Sequence, residues 1–169
     1  MNVKEESVEL KTHISRKKVA LILYCVAFIA YLVYGLQPVD ASNYNIDDEL
    51  IIPDIGLITD VTSLTLDGNE LNTPDTIVGS YSQAKNKTLL IGHSSTVLGK
   101  LHELNLDDVV RFNEKTYRIV SIATVLKSNV DMNKILEASD KDTVVLMTCA
   151  GKDLGNGDAS HRLIVTAIR

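Results

Sequence analysis

One thiol and one imidazole, each closing an apolar run, are the groups in this chain with the type and placement for covalent chemistry. Cys149 ends the run Thr143-Val144-Val145-Leu146-Met147-Thr148, and His93 follows Leu89-Leu90-Ile91-Gly92. Both stand where a strand would finish, so their side chains can converge in a groove. A free cysteine titrates near pH 8.5 and is only a few per cent thiolate at neutral pH, so a nucleophilic one needs an imidazole or a cation close by. The only other cysteine, Cys25, lies inside a long uncharged apolar run, which leaves Cys149 without a partner in the rest of the chain. In an exported domain, where cysteines are normally paired, a leftover thiol is an intermolecular link or a reactive group. A blander reading stays open, since a lone cysteine at a strand end also serves as a small buried hydrophobe. Two more histidines follow His93. His102, beside Glu103 on a short segment of helical apolar spacing, is expected to face solvent. His161 precedes Arg162, and because successive side chains on a strand point to opposite faces, only one of the two can face a groove.

The elements that would carry these groups begin with a membrane span. Residues 19–36 carry no charge, and eighteen residues at about 1.5 Å each give roughly 27 Å, close to the ~30 Å hydrocarbon core of a bilayer. Lys11, Arg16, Lys17 and Lys18 precede the run, whereas Asp40, Asp47, Asp48 and Glu49 follow it, so the positive-inside bias leaves the N-terminus in the cytoplasm and the remainder outside. The expected organisation is a cytoplasmic tail over 1–18, a transmembrane helix over 19–36, a linker over 37–49 and one compact domain over 50–169. A cleaved signal peptide is the competing reading, with Val39-Asp40-Ala41 as a passable small-residue site, but the apolar run is longer than the usual 7–15 residues or so. From Asp40 to Arg169 nineteen acids stand against twelve Lys and Arg, a net charge of −7. That balance argues against nucleic acid or anionic lipid as the main partner.

The exported part reads mostly as strands: 50–52, 55–59, 61–66, 87–92, 109–112, 116–125, 143–148 and 163–168 are short, rich in β-branched or aromatic residues and separated by Gly, Asn and Asp. About eight strands at this spacing predict an all-β closed or nearly closed barrel. Residues 95–104 and 131–138 have apolar residues at three- and four-residue spacing and are expected as short helical inserts. The glycine-rich segment 150–161 reads as a flexible loop able to gate a groove.

Together these residues resemble the sortase family, the membrane-anchored cysteine transpeptidases of mainly Gram-positive bacteria. Leu146-Met147-Thr148-Cys149 is similar to the family's TLxTC signature, with Val145 in place of the first Thr. Leu90-Ile91-Gly92-His93-Ser94 looks like the strand end that carries the sortase histidine, and Arg162, thirteen residues after the cysteine, matches the sortase arginine. Residues 98–110 resemble the family's short helix and following turn, with Asp107 where a Gly is usual, and residues 51–57 look like the first barrel strand. The resemblance covers residues 50–169 and implies a sortase-like barrel preceded by one N-terminal transmembrane helix.

What it implies for function is a thioacyl mechanism: Cys149 as nucleophile, His93 as general acid and base, Arg162 as a donor to the oxyanion or to the substrate backbone, and Thr148 as a substrate contact. A buried strand threonine is the other reading of Thr148. The partners implied are exported proteins with a C-terminal LPxTG-like sorting signal and, as acceptor, an amine of a peptidoglycan precursor or a pilin lysine. No cofactor and no metal are expected, since calcium-stimulated members carry acids in the loop before the histidine strand and residues 79–88 have none. No second apolar run follows Ile168, which is closest to single-anchor members. An exported cysteine hydrolase and a catalytically inactive β-barrel binding module are the alternatives.

Overall fold

The computed structural model describes residues 46–67, 70–155 and 158–169. The predicted tail, transmembrane helix and most of the linker lie outside the described residues. Among the described residues no helix is long and apolar enough to cross a membrane.

The described residues form ten strands: β1 (Ile46–Ile52), β2 (Leu57–Ser63), β3 (Leu66–Asp67), β4 (Glu70–Leu71), β5 (Val78–Tyr81), β6 (Lys87–Ile91), β7 (Val109–Phe112), β8 (Lys115–Leu126), β9 (Thr143–Gly155) and β10 (Asp158–Ile168). Eight of them close into a barrel in the order β1-β2-β5-β6-β9-β10-β8-β7, with β7 returning to β1, while β3 and β4 form a separate small hairpin. The fold is thus an all-β closed barrel. Two neighbouring pairs, β2 with β5 and β6 with β9, run parallel, and the other pairs are antiparallel.

The apolar run in β9 is continuous because both of its faces are covered. Val144 and Leu146 point into the barrel and join Leu50, Val61, Val78, Leu90, Val110, Ile119 and Val165 in the main core. Val145 and Met147 point outward and pack with Leu89, Ile91 and Ile164 against Met132, Ile135 and Leu136. Those last three belong to α1 (Met132–Leu136), which is capped by the Asp131 carboxylate accepting the Lys134 N–H at 3.2 Å. Fully burying a side chain of this size stabilises the fold by about 1.5–3 kcal/mol, so the outer cluster is a genuine second layer.

Several expected boundaries differ. β1 starts at Ile46, four residues inside the predicted linker, because Asp48 and Glu49 pair with Val61 and Asp60 on a strand whose charged residues break the apolar pattern. Residues 55–59 and 61–66 were expected as two strands, but 57–63 form the single strand β2 after the 3-10 turn Pro53–Ile55, and Leu66 belongs to β3. β5 is short and contains Gly79 and Ser80, residues that weaken a strand reading. Segment 95–104 is a run of turns ending in the 3-10 turn Leu101–Glu103, with Leu98, Leu101 and Leu104 buried at the three-residue spacing suited to that geometry. Of the predicted gating loop 150–161, residues 150–155 are instead the outer part of β9 and residues 158–161 the start of β10.

Candidate active site

Three adjacent strands carry the candidate residues, with the cysteine strand in the middle. On β10, Arg162 stands directly opposite Cys149 of β9, an antiparallel pairing that brings side chains on one face within about 5.5 Å at Cβ. On the other flank β6 runs parallel to β9, with Ile91 in register with Met147. Continuing that register by two residues sets His93 beside Cys149. The continuation is held by the Gly92 N–H donating to Met147 O at 3.4 Å and by the Thr148 hydroxyl donating to Gly92 O at 2.7 Å. Alternation then decides which way the side chains point. Leu90, Leu146 and Leu163 face the barrel interior, so Ile91, Met147, Cys149 and Arg162 face outward.

His93 is aimed by the turn that follows it. Its carbonyl accepts the N–H groups of Thr96 (3.4 Å) and Leu98 (3.0 Å), folding residues 94–98 back onto the end of β6. Gly92 permits this approach, because a Cβ there would meet Val97 Cγ1 at 2.8 Å and Leu98 Cγ at 2.9 Å. The His93 Nε2 lies 3.8 Å from Asp75 Oδ1, a carboxylate that is 96% exposed.

Arg162 is more tightly held. Its side chain is 16% exposed. Nη1 donates to Ala159 O and His161 O, both at 2.9 Å, and Nη2 donates to Asp158 Oδ1 at 2.9 Å. Asp158 also accepts from Lys127 Nζ at 2.5 Å and from the Ala159 N–H at 2.9 Å. Hydrogen bonds from Lys127, then Arg162, then Ala159 hold its carboxyl well below the usual carboxylate range.

His93, Cys149, Asp158, Arg162, Ile91, Met147 and Thr73 line one groove of about 210 Å³. Cys149 is half-buried there and has no disulfide partner among the described residues. It also borders two further clefts, one with Ser94, Ser95 and Gly151 and one with Leu98, Gly99 and His102, so the thiol can be approached from more than one side. A half-buried thiol flanked by an imidazole and a placed guanidinium is equipped for acyl transfer: attack at a carbonyl, proton exchange with the leaving group, and donors for the oxyanion.

The family model of the sortase domain matches residues 50–169. The chain belongs to the sortase family. Among solved structures it is similar to a lid mutant of sortase A from Corynebacterium diphtheriae, with 23% identity, TM-score 0.59 and coverage of 82% of this chain and 78% of that one. It is also similar to sortase C from Clostridium perfringens SM101, with 20% identity, TM-score 0.54 and coverage of 93% and 92%. A second structure of Clostridium perfringens sortase C, with the C-terminal cell wall sorting motif, matches at 20% identity and TM-score 0.54 over 93% and 91%. These likenesses show the sortase fold. No curated protein matches. Membership supports the sortase class of cysteine transpeptidase activity in general terms.

In this sortase the four residues singled out in the sequence occupy different roles in the geometry. Cys149, His93 and Arg162 meet at the groove. Thr148 is 3% exposed, has the inward parity of Leu146, and its hydroxyl donates to Gly92 O, as a buried strand threonine does, although it also lines the groove and a neighbouring cleft beside Cys149. His161 has the opposite parity to Arg162 and bonds through Nδ1 to Ser160 Oγ at 2.8 Å. Gly151 and Lys152 together stand opposite Ser160, a bulge that depends on Gly151 at φ +77°, since a Cβ there would meet His161 Nδ1 at 2.5 Å. His102 is exposed, with Nδ1 2.9 Å from Gly99 O. Asp158 and Lys127 were not legible as site residues, because an acid four residues before an arginine on a strand is not normally within its reach. No group of three or more His, Cys, Asp or Glu among the described residues could hold a metal ion.

His161→Ala and His102→Ala are therefore each expected to keep turnover within a few-fold of wild type, because neither imidazole shares the groove of His93 and Arg162. Peptide cleavage rates decide this. A hundredfold loss for either would mean that the proton carrier reaches Cys149 from the barrel mouth and not from β6.

Proposed function

We propose that this sortase cleaves the C-terminal sorting signal of exported proteins, LPxTG-like in sequence, and transfers the trimmed protein to an amine of a peptidoglycan precursor or a pilin. The observation that carries this reading is the placement of Cys149 between Arg162 on one neighbouring strand and His93, two residues past the end of the other, with all three lining one groove. The Cys149 thiolate attacks the scissile carbonyl, and Arg162 donates to the oxyanion that forms. The C–N bond breaks, the leaving amine takes a proton from His93, and a thioester to Cys149 remains. The acceptor amine gives its proton to His93 and attacks the thioester, and sulfur departs. A sortase C of the same fold has been solved with its C-terminal cell wall sorting motif, which supports a signal of that kind as the first substrate.

The uncharged run at residues 19–36, with Lys and Arg before it and acids after it, supports a single-pass protein of the cell membrane with its N-terminus cytoplasmic and residues 50–169 outside. An anchor of this kind keeps the groove beside both the emerging substrate and the wall precursor.

The test is to incubate the full chain with a sorting-signal peptide library and search by mass spectrometry for a thioacyl adduct on Cys149. The adduct is expected, and the amide product should rise with amine concentration. Product formed with water alone at every amine concentration would make the enzyme a hydrolase, and no adduct with any peptide would leave a binding module. Turnover is further expected to be equal in EDTA and in millimolar calcium, because residues 79–88 supply no carboxylate for a hard cation. Several-fold stimulation by calcium would overturn that expectation.

A further inference from the structure

We infer that Asp158 is a positioning residue: it fixes the guanidinium of Arg162 in the orientation that serves the thiol of Cys149. The inference rests on the transpeptidase reading above and adds to it a residue that never touches the reacting atoms.

Asp158 and Arg162 have the same strand parity, so both face outward from β10. Four residues of extended strand separate their Cα atoms by about 13 Å, and the long arginine side chain covers most of that by lying back along its own strand. Its contacts show this course: Nη1 rests on Ala159 O and His161 O, and Nη2 ends on Asp158 Oδ1. Three of the five N–H donors are then engaged, and two are left for a substrate. The two carbonyls hold only one end of the guanidinium. Without Asp158 the Nη2 end is released and the plane can turn about the Nη1 anchor. Asp158 is itself fixed from two sides, by the Ala159 N–H on Oδ1 and by Lys127 Nζ on Oδ2. Lys127 lies in the 3-10 turn Lys127–Asn129 at the end of β8, so the chain of contacts ties the arginine to the strand on the far side of β10.

Placement and charge make opposite demands on Asp158. If Arg162 worked only through its positive field, the nearby carboxylate would weaken it, and its removal would raise the rate. If Arg162 works by donating N–H groups at defined positions, removal lowers the rate, since misplaced donors lose much of a contribution typically of about 10²–10³. The short contacts on both ends of the guanidinium favour placement.

The experiment compares the full chain with Asp158→Ala, Asp158→Asn, Lys127→Ala and Arg162→Ala, measuring kcat and KM for a sorting peptide, with a thermal melt of each. Asp158→Ala is expected to lower kcat at least tenfold with KM changed no more than about threefold and the melt kept. Asp158→Asn, whose amide oxygen can still accept from Nη2, is expected to recover most of the rate, and Lys127→Ala to lose only a few-fold. Asp158→Ala at or above the wild-type kcat overturns the inference, as does Asp158→Asn falling as far as Asp158→Ala. A loss that tracks a lowered melting temperature in both Asp158 variants also overturns it, because the role is then structural. If Arg162→Ala alone keeps the wild-type rate, the reading of the arginine fails and takes this inference with it. A dead Arg162→Ala beside a normal Asp158→Ala sinks this inference only.

Discussion

Cys149→Ala is expected to abolish both peptide cleavage and amine transfer while leaving the barrel folded. The loss should be complete within detection, because Cys149 is, among the described residues, the one thiol lining the groove of about 210 Å³ with His93 and Arg162. The hydroxyls that line it, those of Thr73 and Thr148, are far weaker nucleophiles, with that of Thr148 already donating to Gly92 O. Nucleophilic catalysis divides one difficult acyl transfer into two easier steps, and without the thiol neither step has a path. The fold should tolerate the change. Cys149 is half-buried, outside both apolar clusters, and removing one sulfur atom at such a site costs on the order of 1 kcal/mol or less. Cleavage followed by mass spectrometry and a melting curve measure the two halves of the claim. Appreciable turnover by a folded Cys149→Ala protein would remove the thiol from the mechanism.

His93→Ala and Arg162→Ala are each expected to lower turnover by at least about a hundredfold, by different routes. General acid and base transfer typically contributes about 10²–10⁴, and the His93 imidazole is the only one bordering the groove that holds both Cys149 and Arg162. An oxyanion donor is worth about 10²–10³, and Arg162 is the cationic side chain directly across the ladder from the thiol. Arg162→Lys should rescue little, because an ammonium lacks the planar fork that rests on Ala159 O, His161 O and Asp158 at once. Steady-state rates with a sorting peptide supply the comparison. Should Arg162 prove dispensable while His161 is essential, the face of β10 that serves the thiol is the other one.

Most of the groove could be read from residue order because it depends on two simple regularities. The end of an apolar run marked both Cys149 and His93, although only His93 follows a strand end, two residues past β6, whereas Cys149 lies inside β9, which runs on to Gly155 as it pairs with β10. Side chains alternate along a strand, which separated Arg162 from His161. The barrel class followed from the same runs, although the expected eight strands did not coincide with those observed: one expected pair is the single strand β2, and β5 was missed. What stayed hidden depends on pairing between segments. Ile46 to Glu49 become strand because β2 is beside them, and the glycine-rich segment after Cys149 becomes hairpin because β10 pairs with it across bulges that no linear pattern displays. Asp158 and Lys127 are in the same position. Their 2.5 Å contact joins residues 31 apart in the chain, and neither carries a local signal.

The parallel pairing of β6 with β9 has a consequence for the order in which the protein assembles. An antiparallel hairpin can zip up from its turn, as β9 and β10 can, so Cys149 and Arg162 meet early and locally. β6 and β9 cannot, because β7 and β8 lie between them in the chain, and the bond from Thr148 to Gly92 spans 56 residues. Closing so long a loop gives no contact energy until it is nearly complete, and folds dominated by such pairings typically form in milliseconds to seconds, against microseconds for local ones. An imidazole beside the thiol is therefore a property of the closed barrel alone. During refolding, the gain of peptide cleavage should lag behind any local signal from the β9–β10 hairpin, and the thiol has no imidazole beside it until β6 has docked on β9.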